Sequence, residues 1–272
     1  MRGGGAGFLG TRFDPLLVNG PPGTPEAVPA LSMPSELRAE RFEKRSALLS
    51  VLDGKPAGKS QSSYGLFRDQ AVLLTGTSQR SKSEAFRLDN EPEGQQLRYG
   101  KHRFGRSLLL ARRLAEAGVP MIAIHYNEMT VCDGWDTHTK NFEGLQQELL
   151  PMLDQSLSAL MEDLEQRGLL EETLIVCMGE FGRTPKINKD AGRDHWGPCS
   201  SLLMAGGGIR GGRVWGASDK IGAYPIADKV DPVDIQATIY QQLGLDPHQT
   251  IQDATGRPWE ISAGRVLSGL LS

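Results

Sequence analysis

Between Phe142 and Leu164 the chain places Phe142, Leu145, Leu149, Leu153, Leu157, Leu160 and Leu164 at intervals of three and four. That spacing lays one apolar stripe along a helix of several turns, which must pack on a sheet or another helix. Pro151 lies within the run, and its missing N–H should start a new helical segment or kink the old one. Gly168 closes the pattern, and Thr173-Leu174-Ile175-Val176-Cys177-Met178 follows as a continuous apolar run, the signature of a central parallel strand.

The alternation extends on both sides. Residues 108–117 read as a helix ended by Gly118, residues 119–126 as a short buried strand, and residues 200–205 as a third apolar strand. Residues 232–243 read as a helix stopped by Gly244. Region 100–245 is therefore expected to be a layered α/β unit with a mainly parallel sheet. At 272 residues with 39% hydrophobic content, one core is the default.

Residues 1–97 are expected to be peripheral, packed on a core formed by residues 98–272. The first 34 carry Gly3-Gly4-Gly5 and Gly20-Pro21-Pro22-Gly23, which favour turns, yet Phe8, Leu9, Phe13, Leu16, Leu17 and Val18 are too apolar for a free tail. Helices are expected at 35–52 with Ser35 as N-cap, at 64–74 and at 82–88. The basic stretch 98–113 could meet an anion near a helix start, but a solvated helix face is the simpler reading.

Several function classes are excluded. Thirty Lys and Arg against 33 Asp and Glu leave a net charge of −3, so no basic field attracts nucleic acid. No apolar run reaches the roughly 20 residues of a membrane span, and no export signal is read at the start. Cys132, Cys177 and Cys199 form no C-x-x-C pair, and none begins the Cys-x-Pro-x-Arg sequence that sulfatases convert to formylglycine. Gly206-Gly207-Gly208-Ile209-Arg210-Gly211 has dinucleotide-loop spacing, but no helical period follows it, so a turn between strands is the better reading.

Two polar loops lie behind the apolar runs. Asp133-Gly134-Trp135-Asp136-Thr137-His138 is one, and Met178-Gly179-Glu180-Phe181-Gly182-Arg183-Thr184-Pro185 with Gly192-Arg193-Asp194-His195-Trp196-Gly197 is the other. Divalent cations take carboxylate oxygen, and zinc and manganese also accept imidazole, so Asp136, His138, Glu180 and His195 form a coherent ligand set for a divalent metal ion: zinc, manganese or calcium. Structural alternatives stand beside it. Asp133 and Asp136 could form Asx turns, His138 could cap a helix, Glu180 could pair with Arg183, and His195 could be a hydrogen-bonded histidine.

These motifs, with the 205–212 glycine run, Asp234-Ile235-Gln236-Ala237-Thr238-Ile239-Tyr240 and the opening Gly7-Phe8-Leu9-Gly10, resemble an uncharacterised sulfatase-like family of the alkaline-phosphatase superfamily, domain-of-unknown-function family 1501. The resemblance implies a three-layer α/β alkaline-phosphatase-like sheet with flanking helices. It also implies a metal-dependent hydrolase of small phosphate or sulfate esters, with Arg183 or Arg193 offsetting charge on the leaving group. Phe181 stands where relatives often carry a histidine, which bears on the number of metals. Relatives are often exported and carry an N-terminal half with the first strand, its Asp and the nucleophile. The expectation is thus a C-terminal portion, with exposed strand edges and reliance on the missing half or a partner chain. The competing expectation is a non-catalytic domain that binds a metal or anion.

Overall fold

The computed structural model describes residues 5–10, 13–24, 40, 41, 44, 45, 47, 48, 84–126, 133–253 and 255–272. It is a mixed α/β protein whose described ladders are short and antiparallel. Where length alone favoured one core, the chain divides into two compact units, Met1–Gln95 with Leu109–Ile122, and Gln96–Leu108 with Ala123–Ser272. The expected helix at 64–74 lies outside the described residues. Of the one at 35–52, the described positions 40, 41, 44, 45, 47 and 48 are helical and exposed. Residues 84 and 85 are helical, but the expected 82–88 helix gives way to a turn at 86 and a 3-10 turn at Leu88–Asn90.

The first helices that lie wholly within the described residues are α1, Glu93–Tyr99, and α2, Arg103–Glu116. In the first unit Leu88, Leu109 and Leu110 are buried, and Gly23 rests its backbone so closely on Leu88 that a Cβ there would fall 2.4 Å from Leu88 Cγ. The apolar residues before it do not share this burial: Leu9, Phe13, Leu16 and Leu17 are exposed. Nor is the basic stretch simply a solvated face. Arg112 is 1% exposed, bonded to Glu91 at 2.5 Å and to Glu116 at 2.8 Å, while Arg113 pairs with the other oxygen of Glu91 and donates to the carbonyls of Ala85 and Glu84.

In the second unit the Leu-rich stripe is helical throughout. Helix α3, Asn141–Gly144, runs through a π-helical turn at Leu145–Leu149 into α4, Leu150–Gln166. Pro151 opens α4 as expected, and the widened turn before it relieves the clash between its ring and the carbonyl four residues back. Leu149, Leu160 and Leu164 are buried, whereas Phe142 is 52% exposed. Two polar residues join the buried face: Ser156 donates to the Tyr99 carbonyl, and Asp163 accepts from Tyr99 Oη at 2.9 Å and Arg167 Nε at 2.7 Å.

Strand β1, Ile175–Met178, is where the apolar run predicts a strand. Further along lie β2, Gly182–Arg183; β3, His195–Trp196; β4, Leu202–Ala205; β5, Ala217–Ser218; and β6, Pro225–Ala227. Helix α5, Pro232–Gln242, is followed by β7, Thr250–Gln252, and β8, Pro258–Glu260. The expected parallel pairing is overturned: β1 and β4 are antiparallel, with Ile175 opposite Ala205 and Met178 opposite Leu202. A parallel return needs a crossover, usually a helix, and residues 179–201 contain only the β2–β3 hairpin. Among the described residues, 119–126 join no ladder either; Tyr126 stacks on Phe104 with ring centroids 3.9 Å apart.

Local stop signals are obeyed. Gly118, Gly168 and Gly244 each adopt positive φ directly after a helix, and the following N–H returns to a carbonyl of the last turn. Asp231 and Asp234 form a capping box at the start of α5. After β4, Gly206, Gly207 and Gly208 all have positive φ; the first two lie against residues 170–174 and Gly208 against the Gln242 side chain, with no helix beginning there. The nucleotide-loop reading therefore stays excluded.

Candidate metal centre

The segment carrying Asp136 and His138 begins with a turn in which Asp136 N–H donates to the Asp133 carbonyl, with Gly134 at φ 55°. Thr137 then turns inward, 2% exposed, and its hydroxyl donates to Asn141 Oδ1 at 2.6 Å. Asp136 and His138, on either side of it, keep partly exposed side chains. His138 does not cap the helix. Carbonyls of residues 190 and 191 accept the N–H groups of Lys140 and Asn141 at the start of α3.

Those carbonyls belong to the loop between β2 and β3, and its other bonds bring His195 into place. Within the loop, Arg193 Nη1 donates to the carbonyls of Thr184 and Pro185, and Asn188 Oδ1 accepts the N–H groups of Asp190 and Gly192. Across to the Asp136 segment, Arg193 N–H donates to the Thr137 carbonyl and Asn188 Nδ2 to the His138 carbonyl. Gly192 passes so near that a Cβ would lie 1.8 Å from the His138 carbonyl oxygen. Arg183 and His195 are cross-strand partners in the hairpin, so their side chains share a face. Both reach the same atom: Arg183 Nη2 donates to Asp136 Oδ1 at 2.7 Å, and His195 Nε2 lies 2.8 Å from it.

His138 Nε2 completes the triangle, 3.1 Å from His195 Nε2 and 3.2 Å from Asp136 Oδ1. The ligand atoms of Asp136, His138 and His195 thus lie within 4.8 Å of one another, a group that could hold a metal ion. In a tetrahedral zinc site ligand atoms are about 3.3 Å apart, given zinc–nitrogen bonds of roughly 2.0–2.1 Å, so these edges need only slight expansion. Side-chain exposures of 43–49% leave one side open to solvent.

The surroundings are charged and tied. Hydrogen bonds from His195 and then Arg183 hold the Asp136 carboxyl below its ordinary range. His138 Nδ1 lies 2.9 Å from Asp194 Oδ1, which also accepts from Asn188 Nδ2, and these bonds hold the Asp194 carboxyl down as well. The Phe181 ring lies 4.2 Å from that of His195.

Of the expected set, the structure brings Asp136, His138 and His195 together. Glu180 is exposed in the turn after β1 and is not among these converging atoms; Arg183 pairs with Asp136 rather than with it. Arg183 also donates to the carbonyls of Trp135 and Arg193, and Arg193 lies over the Phe142 ring at 5.5 Å. Sequence reasoning passed over Asp194 as a partner of His138 and Asn188 as the loop's organiser. The asparagine had a signal, an Asx residue four before a glycine.

The family model described as a protein of unknown function, DUF1501, matches residues 1–271. The chain belongs to the DUF1501 family. For this DUF1501 member no curated protein and no solved structure matches. Among its described residues, no helix is long and apolar enough to cross a membrane.

Proposed function

We propose that this DUF1501 domain is sulfatase-like, a metal-dependent hydrolase of phosphate or sulfate esters centred on Asp136, His138 and His195. The observation that carries the reading is the convergence of a carboxylate oxygen and two imidazole nitrogens from loops 59 residues apart in sequence. Two imidazoles and one carboxylate suit zinc or manganese, and also iron(II), better than calcium, which prefers six to eight oxygens. A bound ion would supply Lewis-acid polarisation of the ester oxygen. The chain's own residues do the rest. Asp136, His138 and His195 hold the ion, with exposed Glu180 a candidate further ligand beside Phe181. Arg183 fixes the Asp136 carboxylate, and Arg183 and Arg193 add positive charge that offsets charge developing on the leaving group. The three-layer alkaline-phosphatase-like arrangement is part of the same proposal and rests on the motif resemblance.

The second reading is a non-catalytic metal-binding domain. Its support is that Arg183 and Arg193 both donate to backbone carbonyls, and that the Thr184 hydroxyl bonds the Lys186 carbonyl and the Asp194 N–H, all structural duties. Elemental analysis of the purified chain, with a screen of phosphate and sulfate monoesters in the presence of the ion found, separates the two. Stoichiometric metal with turnover supports the hydrolase, and metal without turnover supports the structural domain. A wild-type protein that retains no divalent ion after reconstitution removes both.

A further inference from the structure

The geometry points to Asp194 as a positioning residue that fixes the proton of His138 on Nδ1 and so aims a bare Nε2 lone pair at Asp136 and His195. An ionised carboxylate only accepts hydrogen bonds, so the 2.9 Å contact between His138 Nδ1 and Asp194 Oδ1 requires the imidazole nitrogen to be the donor. The same oxygen accepts from Asn188 Nδ2 at 3.1 Å, and the backbone N–H of Asp194 donates to Thr184 Oγ1 at 3.0 Å. Asn188 thus holds the carboxylate, and Thr184 anchors the backbone that carries it.

The consequence appears on the far side of the imidazole. With Nδ1 protonated, a neutral His138 presents a lone pair at Nε2, 3.2 Å from the acceptor Asp136 Oδ1 and 3.1 Å from His195 Nε2. His195 Nε2 can offer a single proton, and Asp136 Oδ1 is its nearer partner at 2.8 Å. Two electron-rich atoms are left facing each other at hydrogen-bond distance, an arrangement stabilised by a cation between them. A carboxylate behind a ligating histidine fixes tautomer and ring orientation and raises ligand basicity, and loss of such a partner typically costs 10–100-fold in metal affinity. Only the affinity consequence rests on the metal reading; the tautomer does not.

The test uses the full-length, chelator-treated protein labelled with ¹⁵N. Long-range proton–nitrogen correlation of the imidazoles, with His138 assigned by its loss in His138→Ala, reads the tautomer without metal. Wild type should show His138 protonated on Nδ1, and Asp194→Ala should shift it to a mixture or to Nε2. Zinc titration against a chromogenic chelator should show affinity about 10–100-fold weaker in Asp194→Ala, with unchanged stoichiometry at saturation. Asp194→Asn keeps an acceptor oxygen but loses the charge, so it should retain the Nδ1 tautomer with about tenfold weaker zinc binding. It also carries the test should Asp194→Ala fail to fold. His138 protonated on Nε2 in wild type, or an unchanged tautomer and zinc affinity in a folded variant, overturns the inference. Absence of zinc binding by wild type overturns the metal reading instead, while the tautomer measurement still decides the role of Asp194.

Discussion

Two charged clusters in this protein use the same chemistry to opposite ends. In the first unit, Glu91 sits between Arg112 and Arg113, 7% exposed beside side chains that are 1% and 14% exposed, and each of its oxygens meets a guanidinium. In the second, Asp136, His138 and His195 are 43–49% exposed, and their ligand atoms lie within 4.8 Å of one another. The first cluster is closed: the acid sits between two bases and is nearly shut off from solvent. The second is open to solvent, and its outer partners, Arg183 and Asp194, hold Asp136 and His138 in place. A cluster whose hydrogen bonds close on themselves stabilises the fold, whereas one whose bonds arrange unsatisfied donor atoms invites a cation.

The sharpest contrast is in stability. Glu91→Ala strands two arginines in a buried site and should cost about 3–5 kcal/mol in urea unfolding, the usual penalty for breaking a buried pair. His195→Ala in the metal-free protein should cost no more than about 1 kcal/mol, as partly exposed sites do. A loss below that figure for Glu91→Ala would show that the buried cluster does not hold its unit together.

Metal affinity should reverse the ranking. His195→Ala should weaken divalent-ion binding by more than about 100-fold, since an outer partner alone is typically worth 10–100-fold. Glu91→Ala should leave the affinity of the folded protein unchanged. Equal metal content in wild type and His195→Ala would remove the ligand assignment.

Smaller effects sharpen the contrast. Gly192→Ala forces a methyl group onto the His138 carbonyl, at a cost of about 1–3 kcal/mol, and should weaken metal binding by shifting His138. Acid should weaken the closed cluster. Burial pushes the Glu91 carboxyl up, but hydrogen bonds and charge from Arg112 and Arg113 outweigh it and hold the group below its ordinary value. Its contribution is therefore complete above about pH 4.3 and is lost as pH falls through the depressed folded value. Glu91→Gln should flatten that acid limb of the stability curve, and an unchanged slope would contradict the depression. Removing the surface pair Arg98–Glu162 should cost under about 1 kcal/mol and matter less as salt rises.

What could be read along the chain was local. The stripe between Phe142 and Leu164, the opening of α4 at Pro151 and the glycine stops at 118, 168 and 244 follow from backbone sterics and from the faces that three- and four-residue spacing creates. Residue chemistry likewise nominated Asp136, His138 and His195, together with Glu180, because carboxylate and imidazole are the groups that hold divalent ions. Pairing was decided elsewhere. Nothing in the apolar run at 173–178 distinguishes a parallel from an antiparallel neighbour; the path of residues 179–201 does, by returning through a hairpin. Nor could spacing choose Asp194 over Glu180 as the acid engaged with His138, because that choice depends on where the loop's carbonyls and the Asn188 amide stitch it to residues 137–141. Helices are built from neighbours a turn apart and are written in the sequence, whereas a centre formed across dozens of residues exists only once the loops between them have found their hydrogen bonds.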